Sequence, residues 1–287
     1  MPASFMRYNV FMAIPVRRLG RTGRDVTIFG LGGEGVLRTF GHEKEASRLI
    51  NRALDLGVTY FESARAYSGS ESYYGLALKE RRREIFLTSK SHNRDKKGAM
   101  EHLHETLRNM KTDHLDLWQV HDVRTDDEVE EIFGKGGAIE AFSEAREQGL
   151  VRFIGVTGHH DPQIIRKCIE RFDFDTVLMP VNPAEPHHNS FISQVLPLAV
   201  EREMGVIAMK VYFRGAAARI APGQLGLFYR YALSHPVTTA VIGCDSAEQL
   251  EENVAFASSF APLTEDEKDL LSSQLAPVAR QVMYYKP

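Results

Sequence analysis

The sequence predicts an α/β chain closed into a (β/α)8 TIM barrel, with an N-terminal β-hairpin and an extra C-terminal helix. Three observations carry this reading. Eight short apolar runs are each followed by a helical pattern along the 287 residues. The connections are too long for hairpins and suit parallel crossovers. Runs such as "VIAM" and "TAVIG" are apolar on both faces, as strands covered by helices should be. Eight such units close a barrel, whereas an open doubly wound sheet usually has fewer strands.

The polar, glycine-bearing "RRLGRTGRDV" is expected to form a hairpin that plugs the barrel bottom. Strand 26–31 follows, then helix 43–56, whose Ala46, Leu49, Ile50 and Ala53 repeat at helical spacing. The later pairs are 58–62 with 70–79, 85–90 with 98–110, and 115–121 with 126–147, the last with "GKGG" as a candidate break. Strands 153–157, 176–181, 206–210 and 239–243 precede helices 161–171, 191–203, 225–233 and 247–256. A final helix opens at Thr264 with Glu267 three residues on, a capping-box pattern. All 287 residues are assigned to one barrel domain, residues 1–16 being a loose or extended extension.

Composition narrows the function classes. The chain is 43% hydrophobic and 25% charged with a net charge of −3, enough apolar material for one large core. No basic excess points to nucleic acid or an anionic membrane surface. No run approaches the roughly 18 apolar residues of a membrane span. The N-terminal apolar stretch lacks the charged region and small-residue cleavage site of a secretory signal. Cys168 and Cys244 form no metal or redox spacing, so free thiols in a reducing, cytoplasmic compartment are expected.

Barrel chemistry sits at the C-terminal strand ends. The second predicted strand ends in Glu62, with Tyr67 five residues on; the third ends in Lys90 and the fourth in His121. Strand alternation places Glu62 with Tyr60 and Val58, Lys90 with Thr88 and Phe86, and His121 with Gln119 and Leu117. All three terminal groups are therefore expected to point into the barrel mouth.

"FESARAYSGSE", "FLTSK" and "DLWQVH", with "RRLGRTG" upstream and "EQLEEN" downstream, resemble the aldo/keto reductase superfamily from about Arg17 to Phe260. The resemblance implies reduction of aldehydes or ketones, as small-molecule substrates, with NADP as cofactor and NAD as the alternative. Its catalytic Tyr, Lys and His fall on Tyr67, Lys90 and His121; its Asp position holds Glu62. The residue types suit that chemistry. A free phenol, with a pKa near 10, is a poor acid at neutral pH. A cation about 4 Å away, at an effective dielectric near 20, contributes roughly 4 kcal/mol and lowers that pKa by about three. Lys90 is the expected cation, Glu62 its anchor, and His121 the group that orients the carbonyl. The extra methylene of Glu62 adds about 1.5 Å of reach, which either keeps the ion pair or draws Lys90 off the phenol.

For the cofactor, "FGLGGEG" does not fit the Rossmann glycine pattern. Barrels bind phosphate near the loops after strands seven and eight, here "MKVYFRG" and "IGCDSAEQLEEN". Lys210 and Arg214 bring positive charge, and Ser246 with Gln249 reads as a capping box opening a helix whose amides suit a phosphate. The resemblance implies cofactor contacts from Gly32, Gly33, Thr157, Asn182, Met209, Lys210, Arg214, Gly243, Ser246, Gln249 and Asn253. At the usual carboxamide-binding positions Gly158 and Leu178 depart from the pattern.

Other signals are set aside. His159–His160 and His187–His188 evoke a metal-dependent hydrolase barrel, but the HxH such barrels carry on strand one is absent, and no metal is expected. "KERRR" lies at a helix C-terminus, where cations suit the dipole, and so at the barrel bottom. Trp118 has outward parity and is expected beneath helices, while Phe40, Tyr73, Tyr212 and Phe213 are candidates to line a pocket. The alternative function is a cofactor-sensing binding protein resembling potassium-channel β-subunits. Nothing in the pattern speaks to oligomeric state.

Overall fold

The computed structural model describes residues 13–287; of the expected N-terminal extension, residues 1–12 lie outside them. Two strands, β1 (Val16–Arg18) and β2 (Asp25–Thr27), pair antiparallel with Arg17 opposite Val26. Eight parallel strands follow: β3 (Phe29–Gly35), β4 (Tyr60–Glu62), β5 (Phe86–Ser91), β6 (Leu115–Val120), β7 (Val151–Thr157), β8 (Thr176–Pro180), β9 (Gly205–Met209) and β10 (Thr239–Cys244). They close in chain order, β10 pairing with β3. The first three crossovers carry α1 (Glu43–Asp55), α2 (Ser70–Ala77) and α3 (Lys96–Met110). The next two carry α4 (Asp126–Phe133), α5 (Ala138–Glu147) and α6 (Pro162–Arg171). The last two and the stretch after β10 carry α7 (Phe191–Gln194), α8 (Leu196–Glu201), α9 (Ala217–Ile220), α10 (Leu225–Leu233) and α11 (Ala247–Ser258). Two further helices, α12 (Glu265–Leu275) and α13 (Ala279–Val282), complete the chain.

The apolar core has two compartments. The larger lies between strands and helices; there Trp118 stacks on Phe142 of α5, ring centroids 3.7 Å apart. The smaller fills the barrel with Tyr60, Phe86, Leu117, Leu178 and Ile207, and is sealed by Leu19 and Val26 of the hairpin. Each of these two side chains, fully buried, contributes about 1.5–3 kcal/mol of apolar transfer. The hairpin therefore plugs the barrel as expected. Gly20 makes the closure possible: its φ is +49°, and a Cβ there would lie 2.2 Å from the Gly205 amide nitrogen. Gly20→Ala is expected to cost about 2 kcal/mol or more through strain and collision, read as a lowered urea midpoint.

Several boundaries shift for local reasons. Strand 26–31 is divided, because Val26 and Thr27 pair with β1 and the chain bends at Ile28 before entering β3. β3 then runs to Gly35, where β10 presses so close that a Cβ on Gly35 would lie 2.4 Å from the Cys244 carbonyl. Gly134 and Gly137 separate α4 from α5. Pro197, which has no amide hydrogen to give, opens α8 and divides the expected helix 191–203. α3 begins two residues early, capped by Asp95. The capping box of Thr264 and Glu267 forms as read. Among the described residues no helix is long and apolar enough to cross a membrane.

Candidate active site

The ends of β4, β5 and β6 bring four expected side chains together. Glu62, the last residue of β4, is 3% exposed, and its Oε2 accepts the Gly33 amide at 2.9 Å. Its Oε1 is in direct contact with Lys90 Nζ, and that ammonium also donates to the Ser63 carbonyl at 2.8 Å. Tyr67 follows a turn in which its amide donates to Ala64. The Lys90 ammonium lies 4.9 Å from the Tyr67 ring centroid. The His121 ring stands perpendicular to that ring at 6.2 Å. The His121 backbone is fixed from both sides, its amide on the Ser91 carbonyl and its carbonyl on Arg94.

The longer acid at position 62 thus keeps the ion pair. It also draws the ammonium against the carboxylate, so the pair meets the phenol as a dipole rather than as a bare charge. The expected acidification of Tyr67 is not the net direction. Burial pushes the phenol up from its ordinary range, the carboxylates of Glu34 and Asp122 add to the push, and Arg38 and Arg214 oppose it. The Tyr67 side chain remains partly open at the mouth, which moderates the push without reversing it. Burial, with Lys210 adding to it and Glu34 opposing it, drives the Lys90 ammonium well below the ordinary lysine range; the touching Glu62 carboxylate also favours its charge. His121 is driven well below the ordinary histidine range by burial first and by Lys90 second, so its imidazole is neutral at neutral pH, with Nδ1 buried and unpartnered among the described residues.

Residues the sequence reading missed surround this group. Arg38 lies over the Tyr67 ring at 5.2 Å and pairs with Glu34 at 2.5 Å. Asp122 binds Arg124 and lies 3.3 Å from His159 Nε2. Their signal was weak, since Asp122 follows a residue already assigned to a strand end, Glu34 lies beyond the predicted strand 26–31, and Arg38 stands in an irregular loop.

The expected cofactor residues divide. Lys210, in a left-handed conformation at the end of β9, has its proton affinity lowered by burial and held up by Glu34. Arg214 lies exposed in the same loop. Ser246 caps α11 by accepting the Gln249 amide. Gln249 reaches back to the Asp245 amide, one residue before the cap, so the expected capping box is displaced by one position. These cations and the unpaired first-turn amides of α11 suit a phosphate group. Thr157 and Met209 end β7 and β9 at the same rim.

Gly32 and Gly243 pack β3 against β10, a Cβ on Gly32 lying 3.0 Å from the Gly243 amide nitrogen. Gly33 fits under Tyr67, where a Cβ would meet the ring at 2.8 Å. Asn182 is fully buried and saturated: Oδ1 accepts the Ala184 and Glu185 amides, and Nδ2 donates to the Lys210 carbonyl and to Tyr285 Oη. Asn253 is likewise engaged by Tyr212 Oη and the Gln249 carbonyl. Asn182 thus has all four hydrogen-bonding positions engaged, whereas Asn253 Oδ1 keeps one acceptor position. At Gly158, a Cβ would lie 2.4 Å from Ile165 Cδ1, so an asparagine there would require the Ile165 side chain to shift.

Of the pocket-lining candidates, Phe213 is buried, Tyr73 bonds the Thr39 carbonyl, and Phe40 is 64% exposed. Arg82 of the "KERRR" run pairs with buried Asp116. The histidines set aside as metal ligands have other partners: His159 faces Asp122, and His187 bonds the Ser272 carbonyl at 2.8 Å. Among the described residues no group of three or more His, Cys, Asp or Glu converges as a metal site would.

A model of the aldo/keto reductase family matches residues 28–219. The chain is 25% identical to the uncharacterized oxidoreductase YqkF of Bacillus subtilis, over 90% of this chain and 95% of that protein. The solved holo form of aldo-keto reductase AKR11C1 from Bacillus halodurans superposes with a TM-score of 0.77 at 25% identity, covering 91% of this chain and 96% of that one. An aldo-keto reductase from Klebsiella pneumoniae, solved with NADPH, shares the fold at 20% identity and a TM-score of 0.76, over 92% and 96%. The match spans most of the barrel and includes the strand ends that carry Glu62, Tyr67, Lys90 and His121: the chain belongs to the aldo/keto reductase family.

Proposed function

We propose that Tyr67 is the proton donor of this barrel, Lys90 and Glu62 the charged pair that steadies the phenol, and His121 the neutral ring that orients the substrate carbonyl. The chain is an NAD(P)H-dependent oxidoreductase of aldehydes or ketones. The observation that carries the residue roles is the meeting of a phenol, a neutral imidazole and a buried ammonium–carboxylate pair at the ends of adjacent strands.

The nicotinamide, when bound, supplies the hydride. The chain supplies the rest. Tyr67 keeps its proton at neutral pH because its phenol is raised, and so enters the reaction as an acid. A developing alkoxide is far more basic than any tyrosine, so the phenol needs position more than a lowered pKa. As the proton leaves, the negative charge on Tyr67 grows beside Lys90 and Arg38, and both cations stabilise it. His121, being uncharged, donates a hydrogen bond to the carbonyl oxygen without drawing the proton itself.

The cofactor in this reading is NADP, the dinucleotide named with the Klebsiella structure. Lys210, Arg214 and the first turn of α11 would hold its phosphates, and Thr157 its carboxamide end. The protein acts in the cytoplasm as one barrel unit, on small carbonyl compounds. The test is NADPH oxidation with a panel of small aldehydes, alongside NADH and a chelator. Turnover that survives the chelator supports the reading. Tight dinucleotide binding with no turnover on any carbonyl would make the chain a sensor, and chelator-sensitive hydrolysis would make it a metal enzyme.

A further inference from the structure

The segment after α13 crosses the barrel mouth and is anchored by a buried charge. The Lys286 ammonium uses all three of its donors: Glu185 Oε2 at 2.7 Å, the His188 carbonyl at 2.9 Å and the Asn189 carbonyl at 2.9 Å. The side chains of Lys286 and Glu185 are both 0% exposed. Glu185 also accepts the Phe191 amide at 3.0 Å and Tyr285 Oη at 3.2 Å. From this anchor Tyr285 reaches the loops after three strands. Its hydroxyl accepts from Asn182 Nδ2 at 3.1 Å, its ring meets His159 edge-on at 5.6 Å, and the Lys210 ammonium lies 6.0 Å from its centroid. Asn182 also holds the Lys210 carbonyl at 3.3 Å, so the segment and the basic rim residue share one hydrogen-bonded support.

We infer that Met283–Lys286 is a strap over the dinucleotide end of the mouth, latched by Lys286 and Glu185, whose opening governs cofactor exchange. This rests on the dinucleotide reading given above. The physical reason for a charged latch is the balance of a buried ion pair. Its attraction roughly repays the desolvation of both charges, so an apolar pair of similar volume holds as well or better. When the strap lifts, both charges regain water, and opening is cheap for so deep a contact. Losing one partner is different, because it leaves the other charge buried alone.

The test is the release rate of NADPH, followed by its fluorescence after rapid mixing with excess NADP, in the full chain and its variants. Lys286→Met strands the Glu185 carboxylate, expels the strap and is expected to speed release about tenfold. The double variant Glu185→Leu/Lys286→Met closes an apolar latch and is expected to slow release below wild type. A strap that merely stabilised the fold would alter melting temperature and leave both rates unchanged. Release within twofold of wild type in both variants overturns the strap, as does a double variant as fast as Lys286→Met. Where Lys286→Met does not fold, Tyr285→Phe, which removes the hydroxyl from Asn182 and Glu185 and keeps the ring, is expected to speed release several-fold; no change overturns the inference. Wild type that binds neither NADPH nor NADH sinks the dinucleotide reading itself, a failure distinct from normal binding with unaltered exchange.

Discussion

Tyr67→Phe is expected to lower kcat for carbonyl reduction by about 10²–10⁴-fold, the usual worth of a positioned general acid, while NADPH affinity stays within about twofold of wild type. The change removes one hydroxyl and keeps the ring that packs over Gly33, beneath Arg38 and beside Lys90. The Lys90–Glu62 contact does not involve that hydroxyl, so the barrel rim should persist. Loss should fall on kcat rather than KM, because proton donation matters most where alkoxide charge develops. The measurement is steady-state reduction of a small aldehyde, paired with fluorescence titration of NADPH.

Lys90→Met is expected to be the most destabilising single change in the site. It leaves the Glu62 carboxylate almost fully buried, holding only the Gly33 amide. Breaking one half of a buried pair costs about 3–5 kcal/mol, which for a chain of this size lowers the melting temperature by on the order of 10 °C. The double variant Glu62→Leu/Lys90→Met removes both charges and should recover most of that stability. Activity should not return with it, since the phenol would then lack the cation that steadies its developing charge. A thermal melt and an activity assay on the two variants separate the structural part of the pair from the catalytic part. Recovery of both would make the pair a fold element alone.

The barrel was legible because its signals are local. Alternating apolar runs, helical spacing and crossover length each report on one short segment, and the inward parity of Tyr60, Phe86 and Leu117 follows from strand alternation alone. The plug was legible too, since the polar stretch "RRLGRTGRDV" with its two glycines reads as a hairpin ahead of the first barrel strand. At the site, the strand-end residues could be read because the fold fixes where they point. Arg38, Asp122 and Tyr285 could not be read this way. They reach the mouth from irregular loops and from a segment about a hundred residues distant from its Glu185 anchor, a contact that no periodicity encodes. The hydrogen bonds of Asn182 to its own loop and to Tyr285 are of the same kind. The electrostatic expectation failed for another reason: a pairwise cation–phenol attraction is simple to write from sequence, whereas desolvation depends on the whole enclosure and here outweighs it.

The most direct test of the account is the pH dependence of kcat/KM for aldehyde reduction, which reports the essential groups of the free enzyme. A neutral His121 and a protonated Tyr67 predict a rate that stays level from about pH 6 to beyond about pH 9, with no limb near the ordinary histidine range. A decline centred between about pH 7 and 8.5 that disappears in Tyr67→Phe would show an acidified phenol and contradict the account. Undiminished turnover in Tyr67→Phe would contradict it outright.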